Sequence, residues 1–210
     1  MVTGVQGMRW YEVTVTGNDS HAGSTPMRLR RDALLASARM IEAVHEIALE
    51  HGPDAVGTVG LIEARPNSRN VIPGETFFTV DFRDPNDAVI AAMEEKLRTR
   101  LAAIAEASGV TLALTCIWDS PAVHFDPDCI AAVRGAAEQA GFGHRDIISG
   151  AGHDSAYIAS VAPTTMIFVP CAGGVSHNES ESAEPGDVAA GAQVLLQAVL
   201  AMDAKLAEKA

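Results

Sequence analysis

The sequence predicts a mixed fold of the α+β / α/β class: a ferredoxin-like four-stranded antiparallel sheet with two helices on one face, followed by part of an α/β domain. Up to Trp118, the patterns follow in the order strand, helix, strand, strand, helix, strand, which is the split βαβ arrangement. Residues 119–122 then break the pattern. Beyond them helices and strands alternate, as in a sheet that is covered on both faces.

In the first half, alternating apolar and polar side chains predict the strands, and apolar residues at helical spacing predict the helices. The predicted strands are residues 9–16, 55–63, 75–83 and 110–118, and the predicted helices are about residues 31–50 and 86–108. The first helix ends at Gly52-Pro53. Such a sheet has unpaired edge strands, and dimerisation through an edge is one way to cover them.

The second half contains fewer strands than a complete α/β domain. Its predicted elements are helix 127–140, strand 146–149, a short helix 154–160, an apolar strand 164–169 and a long helix 185–207. The last helix is expected to bury an apolar side formed by Val188, Val194, Leu195, Val199 and Met202. Two strands cannot close a doubly wound sheet, so we expect the rest of that sheet to be absent from this chain.

The composition excludes some classes of partner. The chain has 210 residues, of which 15 are basic and 27 acidic, and its net charge is -12 at pH 7. Because so acidic a protein repels nucleic acid and anionic membranes, we expect neither as a partner. We also expect no apolar run of the roughly 20 residues that a membrane span needs. Cys116, Cys129 and Cys171 are too widely spaced for a disulfide framework, which favours a reducing cytoplasm.

Two glycine-rich segments carry histidines that are candidates for chemistry. His153 lies in Gly150–Ser155, and His177 lies in Val169–Asn178. Glycines let the backbone approach a ligand closely, and the end of a strand is a rigid place to hold a histidine. His177 could bind a metal ion, and His153 could orient a substrate. The alternative is a pair of ordinary loops whose polar residues cap helices, because two histidines make no motif by themselves.

Three further residues could bind or polarise a small substrate. His21 lies in a loop between a strand and a helix, where it could donate a hydrogen bond to a developing oxyanion. Asn70 and Arg83 are expected at the end of one strand pair, where the planar fork of arginine suits a carboxylate. The alternatives are that His21 is a surface histidine and that Arg83 pairs with Asp81 or Asp84.

Six short motifs occur along the chain in one order, and together they are far more specific than any one of them. The motifs are Gly4-Val-Gln-Gly7, Ser20-His-Ala-Gly-Ser-Thr-Pro-Met27, Ser68-Arg-Asn-Val-Ile-Pro73, Asp81-Phe-Arg-Asp84, Gly150-Ala-Gly-His-Asp154 and Ser176-His-Asn178. In this order they resemble the hydantoinase/carbamoylase family of metal-dependent amidohydrolases, which includes N-carbamoyl-L-amino-acid hydrolase and allantoate amidohydrolase. The similarity covers nearly the whole chain.

The resemblance implies a lid, or dimerisation, domain that is inserted into a metal-binding catalytic domain. Residues 1–7 would be the hinge, 8–118 the ferredoxin-like lid, and 119–210 the C-terminal segment of the α/β metallohydrolase catalytic domain. It also implies a homodimer formed through the lid and a small substrate that bears a carboxylate.

The same resemblance implies roles for individual residues. His21 would be the catalytic residue, reaching across a dimer to the scissile carbonyl of the substrate, and His177 would be the last metal ligand. Asn70 and Arg83 would hold the substrate carboxylate. The remaining substrate-binding residues implied are Gln6 at the hinge, the backbone of Gly150 and Gly152, and His153 in the same motif.

The family's other metal ligands precede the lid, and none of them is present here. A hydrolytic zinc needs more than one histidine, so we expect this polypeptide to be inactive by itself. The complete enzyme would use a divalent metal (Zn, Mn, Co or Ni) to hydrolyse amide or ureido C–N bonds of N-carbamoyl amino acid-type substrates. The chain by itself can be without a bound metal ion. Two alternatives stay open: a non-catalytic dimerisation module, and an aminoacylase or dipeptidase specificity.

Overall fold

The structure, a computed structural model, describes residues 1–208 and confirms a mixed α/β protein. The chain forms two compact units, here called the sheet unit (Gly7–Ala122) and the mixed unit (Met1–Gln6 together with the residues from Val123 onward). The strands are β1 Val2–Val5, β2 Gly7–Thr16, β3 Ser20–His21, β4 Val56–Thr58, β5 Ile62–Arg65, β6 Val71–Ile72, β7 Glu75–Asp84, β8 Thr111–Ser120, β9 Val123–His124 and β10 Ile147–Ser149. The helices are α1 Ala33–Glu50, α2 Asp87–Ser108, α3 Pro127–Gln139, α4 Asp154–Ile158 and α5 Pro185–Ala207.

The sheet unit is built on an antiparallel sheet whose central strands are β2 and β7. These strands pair over ten consecutive residues, from Gly7 opposite Asp84 to Thr16 opposite Glu75. β8 lies on the other side of β2, and β4 and β5 both lie along the other side of β7. The single strand predicted at residues 55–63 is therefore two short strands. The break includes Gly60, and glycine inside a strand weakens it.

Alternate side chains of the central strands point into one core, and both long helices cover it. The core contains Tyr11, Val13 and Val15 from β2, Phe78, Val80 and Phe82 from β7, Met40, Val44 and Ile47 from α1, and Met93, Leu97 and Leu101 from α2. Because both helices pack on the same strand residues, they lie on the same face of the sheet. The opposite face carries exposed side chains such as Trp10 and Glu12. The use of this unit as a lid stays a prediction.

Glu94 on α2 joins the helix to the sheet. One carboxylate oxygen accepts hydrogen bonds from Arg9 Nη1 at 2.8 Å and from the hydroxyl of Tyr11 at 3.0 Å. The other oxygen accepts from Arg98 Nε and Nη2 at 2.9 and 2.7 Å. Burial raises the pKa of Glu94, but the hydrogen bonds from Arg98 and Tyr11 outweigh it, so the pKa lies below its ordinary value of 4.5. The ionised carboxylate is therefore part of the fold at neutral pH.

The mixed unit contains a three-stranded sheet with β1 in the middle. β1 is parallel to β10 and antiparallel to β9. Residues 1–7, expected to be a hinge, therefore include a strand, and the side chain of Val2 is fully buried. The strand predicted at residues 164–169 is wrong: the segment forms a single bridge, between Val2 and Met166. The hydroxyl of Thr165 donates to the carbonyl oxygen of Val2 at 2.7 Å. This side-chain hydrogen bond occupies the acceptor that the main chain of a longer paired strand would use.

The last helix, α5, is less buried than its sequence pattern predicts. Val194 and Ala198 are buried against Ile130 and Val133 of α3. Among the side chains expected to be buried, Val188, Leu195 and Val199 are exposed and Met202 is half-buried. The prediction fails because α5 contacts α3 along a narrow stripe.

The same helix corrects the expectation that no segment is long enough to cross a membrane. By length and composition alone, Pro185–Ala207 is long and apolar enough to do so. One such helix is weak evidence, because core helices of water-soluble proteins pass the same test. The expectation that the protein has no membrane partner stays untested.

Glu94→Gln is expected to destabilise the fold and to weaken its response to acid. A carboxylate whose folded-state pKa is lowered stabilises the fold above its unfolded-state pKa, and this contribution is lost as the pH falls through the folded-state value. The variant should lose about 1–3 kcal/mol of unfolding free energy at neutral pH. It should then lose less than the wild type between about pH 5 and pH 3. Urea unfolding followed by circular dichroism measures both effects.

Glu95→Gln is the matched control, because Glu95 is the next residue on the same helix and its side chain is exposed. It should change the unfolding free energy little at either pH. The same acid response in Glu94→Gln and in the wild type would contradict the stabilising role of the ionised carboxylate.

Candidate functional site

A small two-stranded sheet holds the His21 loop against the Asn70 loop. β3 pairs with β6, with His21 opposite Val71. Next to this pair, the main-chain N–H of Ala22 donates to the carbonyl oxygen of Asn70 at 2.9 Å. The structure therefore brings together two residues that the sequence analysis places in the site.

The His21 ring has a defined hydrogen-bonding arrangement. Its Nδ1 accepts from the main-chain N–H of Gly23 at 3.0 Å and from that of Ser24 at 3.2 Å. A ring nitrogen that accepts hydrogen bonds carries no proton, so the neutral ring is protonated on Nε2. His21 is exposed, and its Nε2–H is a donor that a ligand can reach.

The side chain of Asn70 is oriented by a neighbour in its own loop. The hydroxyl of Ser68 donates to Asn70 Oδ1 at 2.8 Å. Because Oδ1 is engaged in this way, the amide nitrogen is the part of the side chain that can donate to a ligand. This fits the expected role of Asn70 as a donor to a carboxylate, which stays a prediction.

Arg83 lies on β7 and forms a two-pronged ion pair with Asp81. Arg83 Nε donates to Asp81 Oδ1 at 3.0 Å, and Arg83 Nη2 donates to Asp81 Oδ2 at 2.7 Å. This pairing raises the pKa of Arg83 above its ordinary value, although desolvation opposes the shift. Pairing with Asp81 is one of the alternatives weighed from the sequence. The ion pair also gives the guanidinium a defined orientation on the strand.

The expectation that Asn70 and Arg83 lie at the same end of a strand pair is wrong. Asn70 precedes the Glu75 end of β7, and Arg83 lies next to the Asp84 end. The eight residue steps from Glu75 to Arg83, at roughly 3.4 Å each, put these two residues roughly 27 Å apart. The reason is that β7 is one continuous strand, so the chain between the two residues crosses the full length of the sheet. Within one chain, Arg83 is remote from His21 and Asn70.

In the mixed unit, the glycine-rich loop after β10 lies beside Gln6. The main-chain N–H of Gln6 donates to the carbonyl oxygen of Ser149 at 2.9 Å, and a Cβ on Gly150 would lie 3.6 Å from Gln6 Oε1. The buried Ser149 hydroxyl donates to the carbonyl oxygen of Ala151 at 2.9 Å and accepts from its N–H at 3.2 Å. Ser149 thus shapes the loop that leads to Gly152, a role that the sequence analysis missed.

The two histidines of the mixed unit have separate surroundings. The ring of His153 packs against Phe168, with 5.4 Å between ring centroids. His177 has a positive φ of 55° in a turn, and its main-chain N–H donates to Glu181 Oε2 at 2.9 Å. The thiol of Cys171 donates to the other oxygen of Glu181 at 3.9 Å. Glu181, four residues after the predicted ligand, was not singled out, because no motif pointed to it.

The described residues do not form a complete metal site. Within residues 1–208, no three or more His, Cys, Asp or Glu side chains are placed to hold an ion. A hydrolytic zinc takes three protein ligands, so His177 by itself does not fit one. The carboxylate of Glu181 accepts a hydrogen bond from the main chain of His177.

The motifs and the geometry of these loops agree with the sequence comparisons at the level of a family. The chain belongs to the peptidase family M20/M25/M40, whose model matches residues 13–201. Within it, the expected similarity to the hydantoinase/carbamoylase amidases is confirmed by named relatives and solved structures.

Three of these similarities show how far the match extends. N-carbamoyl-L-amino-acid amidohydrolase of Rhizobium meliloti is 48% identical over 200 residues, covering 95% of this chain and 48% of the relative. Allantoate amidohydrolase of Escherichia coli is 35% identical over 195 residues, covering 93% and 47%. The crystal structure of a hydantoinase/carbamoylase family amidase from Burkholderia multivorans has 56% identity and a TM-score of 0.90, covering 95% and 49%. The chain therefore spans about half the length of the relatives that it matches.

Proposed function

We propose that this chain is part of an amidohydrolase that cleaves an amide or ureido C–N bond in a small substrate of the N-carbamoyl amino acid type. The names of the relatives support the reaction class. The observation that carries the proposal is the His21 loop, in which Nδ1 accepts two main-chain hydrogen bonds, so that Nε2 is left as the donor of the ring, and in which the Ala22 N–H bonds the main chain of Asn70. A fixed ring donor of this kind suits a carbonyl oxygen that becomes negatively charged.

In the proposed reaction, the residues of the sheet unit bind the two ends of the substrate. His21 donates from Nε2 to the oxyanion of the tetrahedral intermediate. Arg83 and the amide nitrogen of Asn70 hold the substrate carboxylate through charge-assisted hydrogen bonds. The backbone of Gly150 and Gly152, together with Gln6 and His153, adds further recognition of the substrate.

We further propose that the enzyme depends on a divalent metal ion, with zinc, manganese, cobalt and nickel as candidates and His177 as one ligand. The remaining ligands would have to come from outside the described residues, because those residues contain no cluster of three ligands. A cytoplasmic location is part of the same proposal. The free cysteines Cys116, Cys129 and Cys171 support it.

We propose that the enzyme is a homodimer in which each substrate site is shared between two chains. The support is the separation of roughly 27 Å between the Arg83 end of β7 and the Asn70 end, too long for one small substrate to bridge. Two chains that pair in opposite directions could bring His21 and Asn70 of one chain to Arg83 of the other.

The edge formed by β5 is the proposed dimer contact. Arg65, at the end of β5, lies opposite Glu75. Glu75 is at the end of the sheet that is nearest to Asn70. An exposed pocket of about 410 Å³ lies along this edge, and Leu34 and Ile62 contribute apolar side chains to it. Exposed apolar side chains along the outer side of an edge strand are typical of a contact that a partner covers.

Two other functions remain as candidates. The chain could be a non-catalytic dimerisation module, a reading supported by the same β5 edge. An aminoacylase or dipeptidase specificity is the other, because the matched family covers peptidases as well as amidases. Assays of the active enzyme on N-carbamoyl amino acids, allantoate and N-acetyl amino acids separate these specificities.

Arg83→Ala is expected to impair substrates that carry a carboxylate far more than matched analogues in which a carboxamide replaces it. In the active enzyme that contains this chain, kcat/KM for the carboxylate substrate should fall about 10- to 100-fold, the effect of losing a charge-assisted hydrogen bond. Steady-state kinetics on both substrates measures the difference. Arg39→Ala, on the exposed side of α1, is the matched control and should affect neither substrate. Equal losses for both substrates would rule out the clamp.

Mixing two impaired variants is expected to restore activity if each site is shared. In dimers that contain one His21→Ala chain and one Arg83→Ala chain, one site carries both changes and the other carries neither. After subunit exchange of equal amounts, about a quarter of the wild-type activity should return. The matched control is a mixture of His21→Ala and Asn70→Ala, whose changes lie at the same end of the sheet and should not complement. No recovery in the first mixture would contradict the shared site.

The 210-residue chain by itself is expected to show no turnover and no tightly bound metal, because its described residues supply fewer than the three clustered ligands that a catalytic zinc needs. Elemental analysis, light scattering and substrate assays on the purified chain check this. Turnover by the chain alone would contradict the argument from missing ligands. If His21→Ala and Arg83→Ala leave the active enzyme unchanged, the chain is a dimerisation module instead.

A further inference from the structure

Arg30, which the sequence analysis did not single out, holds the loop that carries His21. Its Nη2 donates to the carbonyl oxygen of Ala22 at 2.6 Å, and its Nε donates to the carbonyl oxygen of Thr25 at 3.0 Å. The side chain is half-buried, and both acceptors are main-chain carbonyls. One planar guanidinium therefore fastens the main chain on both sides of Gly23 and Ser24.

These bonds are coupled to the His21 ring through a single peptide group. The carbonyl of Ala22 and the N–H of Gly23 belong to the same planar unit, in which the oxygen and the hydrogen point in opposite directions. When Arg30 holds the oxygen, the N–H is directed away from Arg30, and this N–H donates to His21 Nδ1 at 3.0 Å. Arg30 thus acts on the ring through a rigid group.

The rest of the loop reinforces the same arrangement. The N–H of Ser24 donates a second hydrogen bond to His21 Nδ1 at 3.2 Å, and the N–H of Thr25 donates to the carbonyl oxygen of His21, also at 3.2 Å. On the other side, the N–H of Ala22 donates to the carbonyl oxygen of Asn70 at 2.9 Å. A shift of the Ala22–Gly23 peptide would therefore disturb the His21 ring directly, and the adjoining His21–Ala22 peptide carries the hydrogen bond to Asn70.

We propose that Arg30 is a positioning residue that holds His21 in the tautomer protonated on Nε2 and keeps the His21 loop in place next to the Asn70 loop. The guanidinium suits this role because two of its N–H groups reach two carbonyls at a set angle, whereas a lysine ammonium is a single point of charge. The use of the Nε2–H as an oxyanion donor rests on the proposed function. The tautomer and its dependence on Arg30 do not.

NMR on the 210-residue chain tests the inference without substrate. With ¹⁵N-labelled histidine at about pH 8, above the ordinary histidine pKa of about 6.5, long-range proton–nitrogen correlations identify the protonated ring nitrogen. The wild type should show His21 protonated on Nε2, with couplings across the hydrogen bonds from the Gly23 and Ser24 amides. Arg30→Lys and Arg30→Ala should shift the ring signals toward a mixture of tautomers and lose these couplings.

Arg28→Ala is the matched control, because Arg28 lies two residues away and its side chain is exposed. It should leave the His21 signals unchanged. A thermal unfolding curve confirms that each variant is folded. If Arg30→Ala does not fold, the wild-type spectrum and Arg30→Lys still decide the question.

Two results would overturn the inference: a wild-type His21 protonated on Nδ1, or ring signals that are the same in the wild type and in a folded Arg30 variant. If the ring signals change as expected but His21→Ala leaves turnover of the active enzyme unaffected, the inference stands and the oxyanion role in the proposed function fails. The two failures are therefore distinguishable.

Discussion

The ten-residue pairing between β2 and β7 determines where every candidate residue of the sheet unit lies. The register runs without a break from Gly7–Asp84 to Thr16–Glu75. A slip of one residue would turn Tyr11 and Phe82, which pack edge to face in the core, toward the opposite face of the sheet. Because burial fixes the register in this way, it also fixes Arg83 at one end of the sheet and delivers the chain to the His21 loop at the other.

The candidate loops are held mainly by hydrogen bonds to the main chain. His21 Nδ1 accepts from two main-chain amides, the Ser149 hydroxyl bridges both main-chain groups of Ala151, and Glu181 accepts from the amide of His177. Such bonds set the conformation of a loop. They leave the Nε2–H of His21, which would bind a ligand, free of hydrogen bonds to the main chain of its loop. In the His21 loop, Arg30 adds a hydrogen bond of the same kind, from its side chain to the carbonyl oxygen of the Ala22–Gly23 peptide.

The sequence predicted elements whose pattern is long and whose neighbours lie in the same chain. β7 and α2 were located within a residue or two, because ten or more residues repeat one period. The same reasoning failed for α5, since periodicity identifies an apolar side but does not show whether anything covers it. It failed for the distance between Asn70 and Arg83, because both residues were assigned to one end of a strand pair although the predicted strand 75–83 separates them along the chain. Arg30 was missed because its acceptors are main-chain carbonyls, which leave no sequence motif.

The separation of Arg83 from His21 links the two functions considered for this chain. A substrate of a few bond lengths cannot contact both ends of a sheet when they are roughly 27 Å apart. If both residues serve one substrate, a second copy of the chain must supply one of them, so dimerisation is a requirement of catalysis. The β5 edge, with the exposed Leu34 and Ile62 beside it, then serves both dimerisation and catalysis. An amidase of this design and a dimerisation module differ only in whether His21 and Arg83 meet across the contact.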